Sequence, residues 1–276
     1  MDANAPITVI EPRKGWVPID AGELWRYREL LYFLTWRDVL VRYKQTALGV
    51  LWAVIQPLVA MVIFSLVFGR FGRLPSGGVP YPVFTFCALL PWNLFAAALT
   101  RATNSVVGSA GMVKKIYFPR LLIPVSSTLS PLVDFAISLL VLFVMMLFYR
   151  MPFGWGLLLL PLLVAATLAI ALGVGLWLSA LNVRYRDVGH AIPFVIQAWM
   201  FASPVAYSLM LIPQRWQPLY ALNPMVGVIN GFRWAFLGTG LVPLNTMLVS
   251  LCAGLAILVS GAFYFRRMER TFADEA

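Results

Sequence analysis

Six long apolar stretches, carrying between them a single charged residue, Asp134, constrain this chain more than any other feature. They lie at about 48–69, 83–100, 121–149, 155–181, 191–212 and 241–265. About 20 helical residues cross roughly 30 Å of hydrocarbon, so each stretch is long enough to span a membrane or nearly so. A soluble core of 276 residues could not hide so much apolar surface, with 61% of the chain hydrophobic and 12% charged. The expected fold is an all-α integral membrane protein with about six transmembrane helices. Pro75, Gly77, Gly78, Pro80 and Pro82 mark one loop, and Pro152 and Gly154 another. Pro57, Pro91, Pro131 and Pro161 fall inside spans, where neighbouring helices and side chains satisfy the freed carbonyls.

The organisation predicted is a cytoplasmic amino-terminal segment over residues 1–47, a transmembrane domain over 48–265 and a cytoplasmic tail over 266–276. No apolar run with a small-residue cleavage site opens the chain, so no cleaved signal peptide is expected. Residues 213–240 are broken by Asn223-Pro224, several glycines and Arg233. They fit a re-entrant helical hairpin before the last span, with an ordinary apolar loop as the alternative. Within residues 20–45, Asp20 and Glu23 stand at capping-box spacing, and Trp25, Tyr27, Tyr32, Phe33, Trp36 and Tyr43 alternate with arginines. An amino-terminal interfacial helix that also touches other protein is expected there, because its apolar residues form no clean single face.

The net charge of +10 is first a topology signal. With the amino terminus in the cytoplasm, sixteen of the 21 basic residues fall inside and five (Arg70, Arg73, Arg150, Arg215, Arg233) outside. Both termini are then cytoplasmic. The charges are scattered over separate loops, which argues against nucleic-acid binding.

The chain contains no G-x-x-x-x-G-K-[ST], no G-x-G-x-x-G and no H-E-x-x-H. Its one histidine, His190, reads as a helix-start or interface residue, and Cys87 and Cys252 read as small buried packing residues. Asp134 is the one carboxylate within a span. Ser126, Ser127, Ser130 and Ser138 stand near enough in sequence to satisfy it, which leaves a structural and a functional role both open.

The segment Arg37-Asp38-Val39-Leu40-Val41-Arg42-Tyr43-Lys44-Gln45-Thr46-Ala47-Leu48-Gly49-Val50-Leu51-Trp52, followed by Pro57, resembles the approach to the first span of type-2 ABC transporter permeases. The subfamily it looks most like exports O-antigen, capsular polysaccharide and teichoic acid. Further matches are Lys114-Lys115-Ile116-Tyr117-Phe118-Pro119-Arg120, Leu181-Asn182-Val183-Arg184-Tyr185-Arg186-Asp187-Val188, Ser203-Pro204-Val205-Ala206-Tyr207 and Leu222-Asn223-Pro224-Met225.

The resemblance implies a homodimeric permease in a bacterial inner membrane, served by two copies of a separate ATPase that binds ATP and Mg, with no cofactor in this chain. It also implies a lipid-linked glycan as substrate, and residues 213–240 as a gate at the outer mouth. In that frame Trp52, Phe64, Phe68, Trp92, Phe95, Trp199 and Tyr207 are candidates for the substrate path, by the stacking of ring faces on sugars, though aromatics also simply pack. Arg37, Arg42 and Lys44 are candidates for the carrier's anionic headgroup, and Lys114, Lys115, Arg184, Arg186 and Asp187 for ATPase coupling. A permease of the same fold for a drug or small lipid is the alternative, as is an integral-membrane enzyme acting on polyprenyl phosphates. The enzyme would normally need acids or histidines clustered at one membrane face, and the sequence has no such cluster.

Overall fold

The computed structural model describes residues 21–44, 49–113, 118–238, 244–269 and 272. Within them the chain is helical and forms no strand, as a membrane-spanning chain must when every N–H and C=O has to find a partner without water. Short α1 (Ala21–Arg26) and α2 (Arg28–Tyr43) precede α3 (Gly49–Phe64), which ends in a π-helical turn, Ser65–Phe71. Then come α4 (Tyr81–Gly108), α5 (Ala110–Val113), α6 (Leu122–Leu129) and α7 (Leu132–Phe148). A 3-10 turn, Trp155–Leu159, leads into α8 (Leu160–Arg184), followed by α9 (Asp187–Phe201), α10 (Gln217–Tyr220), α11 (Pro224–Leu237) and α12 (Leu244–Met268).

Five helical runs among the described residues are long and apolar enough to cross a membrane: Leu51–Phe71, Tyr81–Gly108, Leu122–Phe148, Trp155–Arg184 and Leu244–Met268. The sequence led us to expect about six. The difference lies at residues 191–212, where α9 stops after 15 residues and spans only about 22 Å. The chain then turns at Ser203 and Pro204 instead of continuing. A second difference concerns α4, expected to leave the apolar region at Thr100. It runs unbroken through Arg101 to Gly108, because that guanidinium finds polar company inside the bundle.

Helix α4 is the axis of the fold: 78% of its apolar window is buried, against 28% or less for the other four runs. Its neighbours approach closely where side chains are smallest. A Cβ on Gly175 of α8 would stand 2.6 Å from the Ala102 Cβ of α4, and one on Gly261 of α12 would stand 2.3 Å from the Gly173 carbonyl oxygen of α8. Between membrane helices, packing of this kind replaces the hydrophobic driving force that water would supply. On α11, Gly227 lies against Ser250 of α12, whose hydroxyl accepts the Gly227 N–H at 3.0 Å and donates to the Ala221 carbonyl at 2.8 Å.

Helix α2 buries Leu34 against Phe118, Leu122 and Ile123, tying it to α6. It leaves Tyr32, Phe33 and Trp36 exposed on its other sides. The capping residue proposed at Asp20 lies outside the described residues. Cys87 is buried as expected, but Cys252 is exposed on the outer side of α12. Periodicity does not resolve the faces of a helix that is apolar all round.

Gly261→Leu is expected to push α12 off α8 and destabilise the protein by about 3 kcal/mol. Gly108→Ala, with nothing within 4 Å of the added carbon, should be neutral or slightly stabilising. Thermal unfolding of the detergent-purified variants separates the two.

Candidate substrate cavity

A cavity of about 800 Å³ opens between α3, α4, α7 and α9. Ala53 and Pro57 of α3, Leu90, Leu94 and Ala97 of α4, Phe135 of α7 and Ile196 of α9 make its apolar wall. Gln56, Asn93 and Thr100 add neutral polar groups, and Arg42, Arg101 and Asp134 form a charged corner.

The corner is built by a helix break. Pro131 has no N–H, so the ladder is interrupted at Ser130-Pro131, and α6 gives way to α7. Asp134 thereby sits in the first turn of α7, where the helix dipole favours a carboxylate. The Arg42 guanidinium pairs with one carboxylate oxygen, and the Tyr43 hydroxyl donates to the other. Burial, and then the hydrogen bond to Asp134, pushes the Tyr43 phenol up to about 12, so it remains a donor at neutral pH. Arg101 donates from Nη1 to Ser130 Oγ at 2.9 Å.

This arrangement corrects the expectation that nearby serines satisfy Asp134. Ser126 donates to the Ile123 carbonyl, Ser130 to the Ser127 carbonyl and Ser138 to the Ala53 carbonyl, while Ser127 donates to Asp38. Serines in helices readily turn back onto carbonyls one turn away, which takes them out of longer-range duty.

The three candidate headgroup cations separate in space. Arg42 lines the cavity. Arg37 is exposed and held at 2.9 Å by Asp38, and Lys44 is exposed at the end of α2.

None of the seven candidate path aromatics lines this cavity. Trp92 and Phe95 are sealed in the core, with Phe95 edge-on to Trp199 at 5.0 Å. Phe64 and Phe68 meet edge to face at 5.6 Å, and Trp52 is half exposed on α3. Trp199 donates to Asn223 Oδ1 at 2.9 Å, and the Tyr207 hydroxyl shares a 2.6 Å hydrogen bond with that of Tyr220. Trp199 and Tyr207 thus meet the segment from α9 to α11, whereas Trp52, Phe64 and Phe68 stay on α3 and its π-turn.

That segment is held by a full set of backbone partners. Asn223 donates to the Ala202 carbonyl at 3.1 Å and to Ser203 Oγ at 2.9 Å while capping α11. Tyr81 donates to the Ala206 carbonyl at 2.5 Å. Arg233, buried in α11, donates to the carbonyls of Val205 at 2.7 Å and Tyr207 at 2.9 Å, and its guanidinium lies 3.8 Å over the Phe84 ring. A turn that would cost several kcal/mol unpaired is instead clamped between α4 and α11. The sequence marks Arg233 as an outside charge and as a break in an apolar segment, and a basic residue in such a segment is the one signal of the clamp it offers.

Across the bundle, Arg184, Arg186 and Asp187 stand exposed between α8 and α9. Their loop is positioned by buried Asn182, which accepts the Gly189 N–H at 2.9 Å and donates to the Thr103 carbonyl at 3.2 Å. His190 is exposed in the first turn of α9, at a helix start. Lys114 and Lys115 lie outside the described residues.

A profile of the ABC-2 type transporter family matches residues 29–237, more than half of the chain. The chain belongs to that family. This ABC-2 family member is similar over 91% of its length to the O-antigen export system permease protein RfbA of Myxococcus xanthus, at 28% identity and covering 97% of that protein. It is 28% identical to a Klebsiella pneumoniae RfbA, covering 89% of this chain and 94% of that one. It is 23% identical to the polysialic acid transport protein KpsM of Escherichia coli, covering 80% of this chain and 89% of that one. The family match takes in the whole charged corner and stops at Leu237, the last residue of α11.

Arg233→Gln in this ABC-2 protein is expected to lower stability by about 2–4 kcal/mol, since two carbonyls lose a charged donor in a buried site. Limited proteolysis at residues 208–216, together with thermal unfolding, checks it. Wild-type resistance in the variant would mean the turn holds without the clamp.

Proposed function

We propose that this chain is the membrane-spanning permease of a bacterial exporter that moves a lipid-linked polysaccharide, O-antigen-like in character, across the inner membrane. The observation that carries the reading is similarity along nearly the whole chain to two proteins named as O-antigen export permeases. KpsM, named for polysialic acid transport, adds a second glycan. ATP and Mg belong to a separate ATPase subunit, consistent with the lack of a phosphate-binding loop in this sequence.

Two copies of the chain form the conduit. Gln56 and Asn93 line the cavity and are exposed, each flanked by apolar residues, a costly arrangement against lipid and a comfortable one beside a second copy or a hydrated path. The basic face, with α2 and the α8–α9 loop, is cytoplasmic, as the sixteen-to-five division of basic residues favours. On that face Lys114, Lys115, Arg184, Arg186 and Asp187 dock the ATPase. Arg37, Arg42 and Lys44 meet the carrier headgroup, Arg42 inside the cavity and the other two at its approach.

The segment between α9 and α12 is the outer gate, and α11 is re-entrant. Pro224 packs against Gly254, ten residues and about 15 Å down α12 from its first turn. Trp199 and Tyr207 contact the glycan as it passes this gate, and the remaining path aromatics do so once the bundle opens.

The test is reconstitution. The chain co-expressed with its partner ATPase should elute as a two-plus-two complex and, in proteoliposomes, move lipid-linked glycan in an ATP-dependent manner. Arg184→Glu with Arg186→Glu should weaken ATPase binding about tenfold, roughly 1.4 kcal/mol, while membrane insertion is unchanged. A chain that stays monomeric, or a complex whose ATP hydrolysis ignores lipid-linked glycan, would refute the assignment.

A further inference from the structure

The charged corner contains more than a set of cations awaiting a ligand. Two guanidinium groups and one carboxylate line it, so one positive charge is in excess. The carboxylate holds only one of the two cations by contact. Arg42 is paired with Asp134, in a pair that is part exposed at 33% and 17% of the two side chains. Arg101 makes one hydrogen bond among the described residues, to the neutral Ser130 hydroxyl, although a guanidinium carries five N–H donors. Thr100, its neighbour in sequence, and Asn93, two turns away on α4, line the same cavity wall.

The pair also has a mechanical position. Arg42 and Tyr43 are the last two residues of α2, and Asp134 is in the first turn of α7. Their contacts tie the amino-terminal helix to a membrane-crossing one at the mouth of the cavity. Besides this tie, α2 is held against α6 at Leu34 and through Asp38, which accepts from Ser127. Withdrawing Arg42 from Asp134 would remove the charged half of the tie and loosen the carboxy-terminal end of α2 against α7, with the Tyr43 hydrogen bond and the contacts to α6 keeping the helix anchored.

We propose that Asp134 is a built-in counter-anion: a phosphoryl anion entering the cavity takes Arg42 from it, is held jointly by Arg42 and Arg101, and so loosens the end of α2 from α7. The inference rests on the export reading above and deepens it. It makes Arg101 a substrate-binding residue and Asp134 the competitor that sets the affinity. An arginine fork fits carboxylate and phosphoryl oxygens alike, but a phosphoryl group brings more negative charge and more acceptor oxygens than a carboxylate already shared with a tyrosine, which gives the exchange its direction. Because the anion is doubly charged or diffuse, it satisfies both cations where Asp134 satisfies one by contact.

The experiment uses the full permease–ATPase complex in nanodiscs, spin-labelled at the exposed positions Val41 of α2 and Leu140 of α7. Three probes are compared: a short polyprenyl-pyrophosphate-linked glycan, phosphatidylglycerol and inorganic pyrophosphate. The wild type should show half-saturable stimulation of ATP hydrolysis and a longer label separation with the glycan lipid. Asp134→Asn should lower the half-saturating concentration about tenfold and show the longer separation without ligand; Arg101→Gln should raise it about tenfold, with the separation starting short. The charge swap Arg42→Asp with Asp134→Arg guards against a folding defect. It should restore the short separation and, with two guanidinium groups and one carboxylate still lining the cavity, keep the ligand response.

Unchanged half-saturation in both single variants, or a swap that fails to restore the short separation, would overturn the proposal. If phosphatidylglycerol or pyrophosphate alone drives the exchange and the glycan lipid does not, the counter-anion device stands and the export reading fails. If the glycan lipid stimulates hydrolysis without any change in label separation, export stands and the device fails.

Discussion

Backbone hydrogen bonding in a medium without water governs this structure. Where the described chain departs from helix inside the bundle, side chains take up several of the freed carbonyls. The turn after α9 is the clearest case: Asn223, Tyr81 and Arg233 together serve Ala202, Val205, Ala206 and Tyr207. Because those donors sit on α4, α11 and the residue that caps α11, the turn cannot move without disturbing the axis of the fold. Specific hydrogen bonds and the burial of Ser203, Val205 and Ala206 together hold the segment in place.

The same requirement accounts for the charged corner. Pro131 breaks one membrane-crossing run into α6 and α7, and the break brings a helix start, with its positive end, into the bundle. Asp134 occupies that start. A carboxylate there draws Arg42 and Tyr43 from α2, so an amino-terminal helix outside the spans becomes part of the cavity wall. Arg101 extends the set from α4, and it does so without ending that helix, because Ser130 and the opposing charges keep the guanidinium company. The cavity is thus polar at one corner and apolar elsewhere, a shape suited to a substrate with a charged head and a greasy remainder.

At the other limit of close approach, α8 and α12 meet backbone to backbone through Gly173 and Gly261, and α4 meets α8 at Gly175. These contacts leave the aromatics at Trp92 and Phe95 enclosed. Aromatic count was therefore a poor guide to the cavity. Rings bring large contact area, and a bundle that lacks a hydrophobic driving force between helices uses that area for packing first.

Long uncharged runs and scattered basic loops determined, with no structure in hand, that this chain is an all-α membrane protein. Five ordered motifs were enough to indicate its family. Those properties are additive along the chain: hydropathy needs only length, and motif order needs only sequence. Tertiary structure alone decided that α9 stops at 15 residues, and that Asp134 answers to Arg42 and Tyr43, not to its neighbouring serines. It also decided that Arg233 clamps a turn 26 residues away in sequence and that Arg101 belongs to a cavity. The physical reason is common to all of these. A helix apolar on every side has no periodicity to reveal its neighbours, and a polar group within it finds a partner only through contacts between segments distant in sequence.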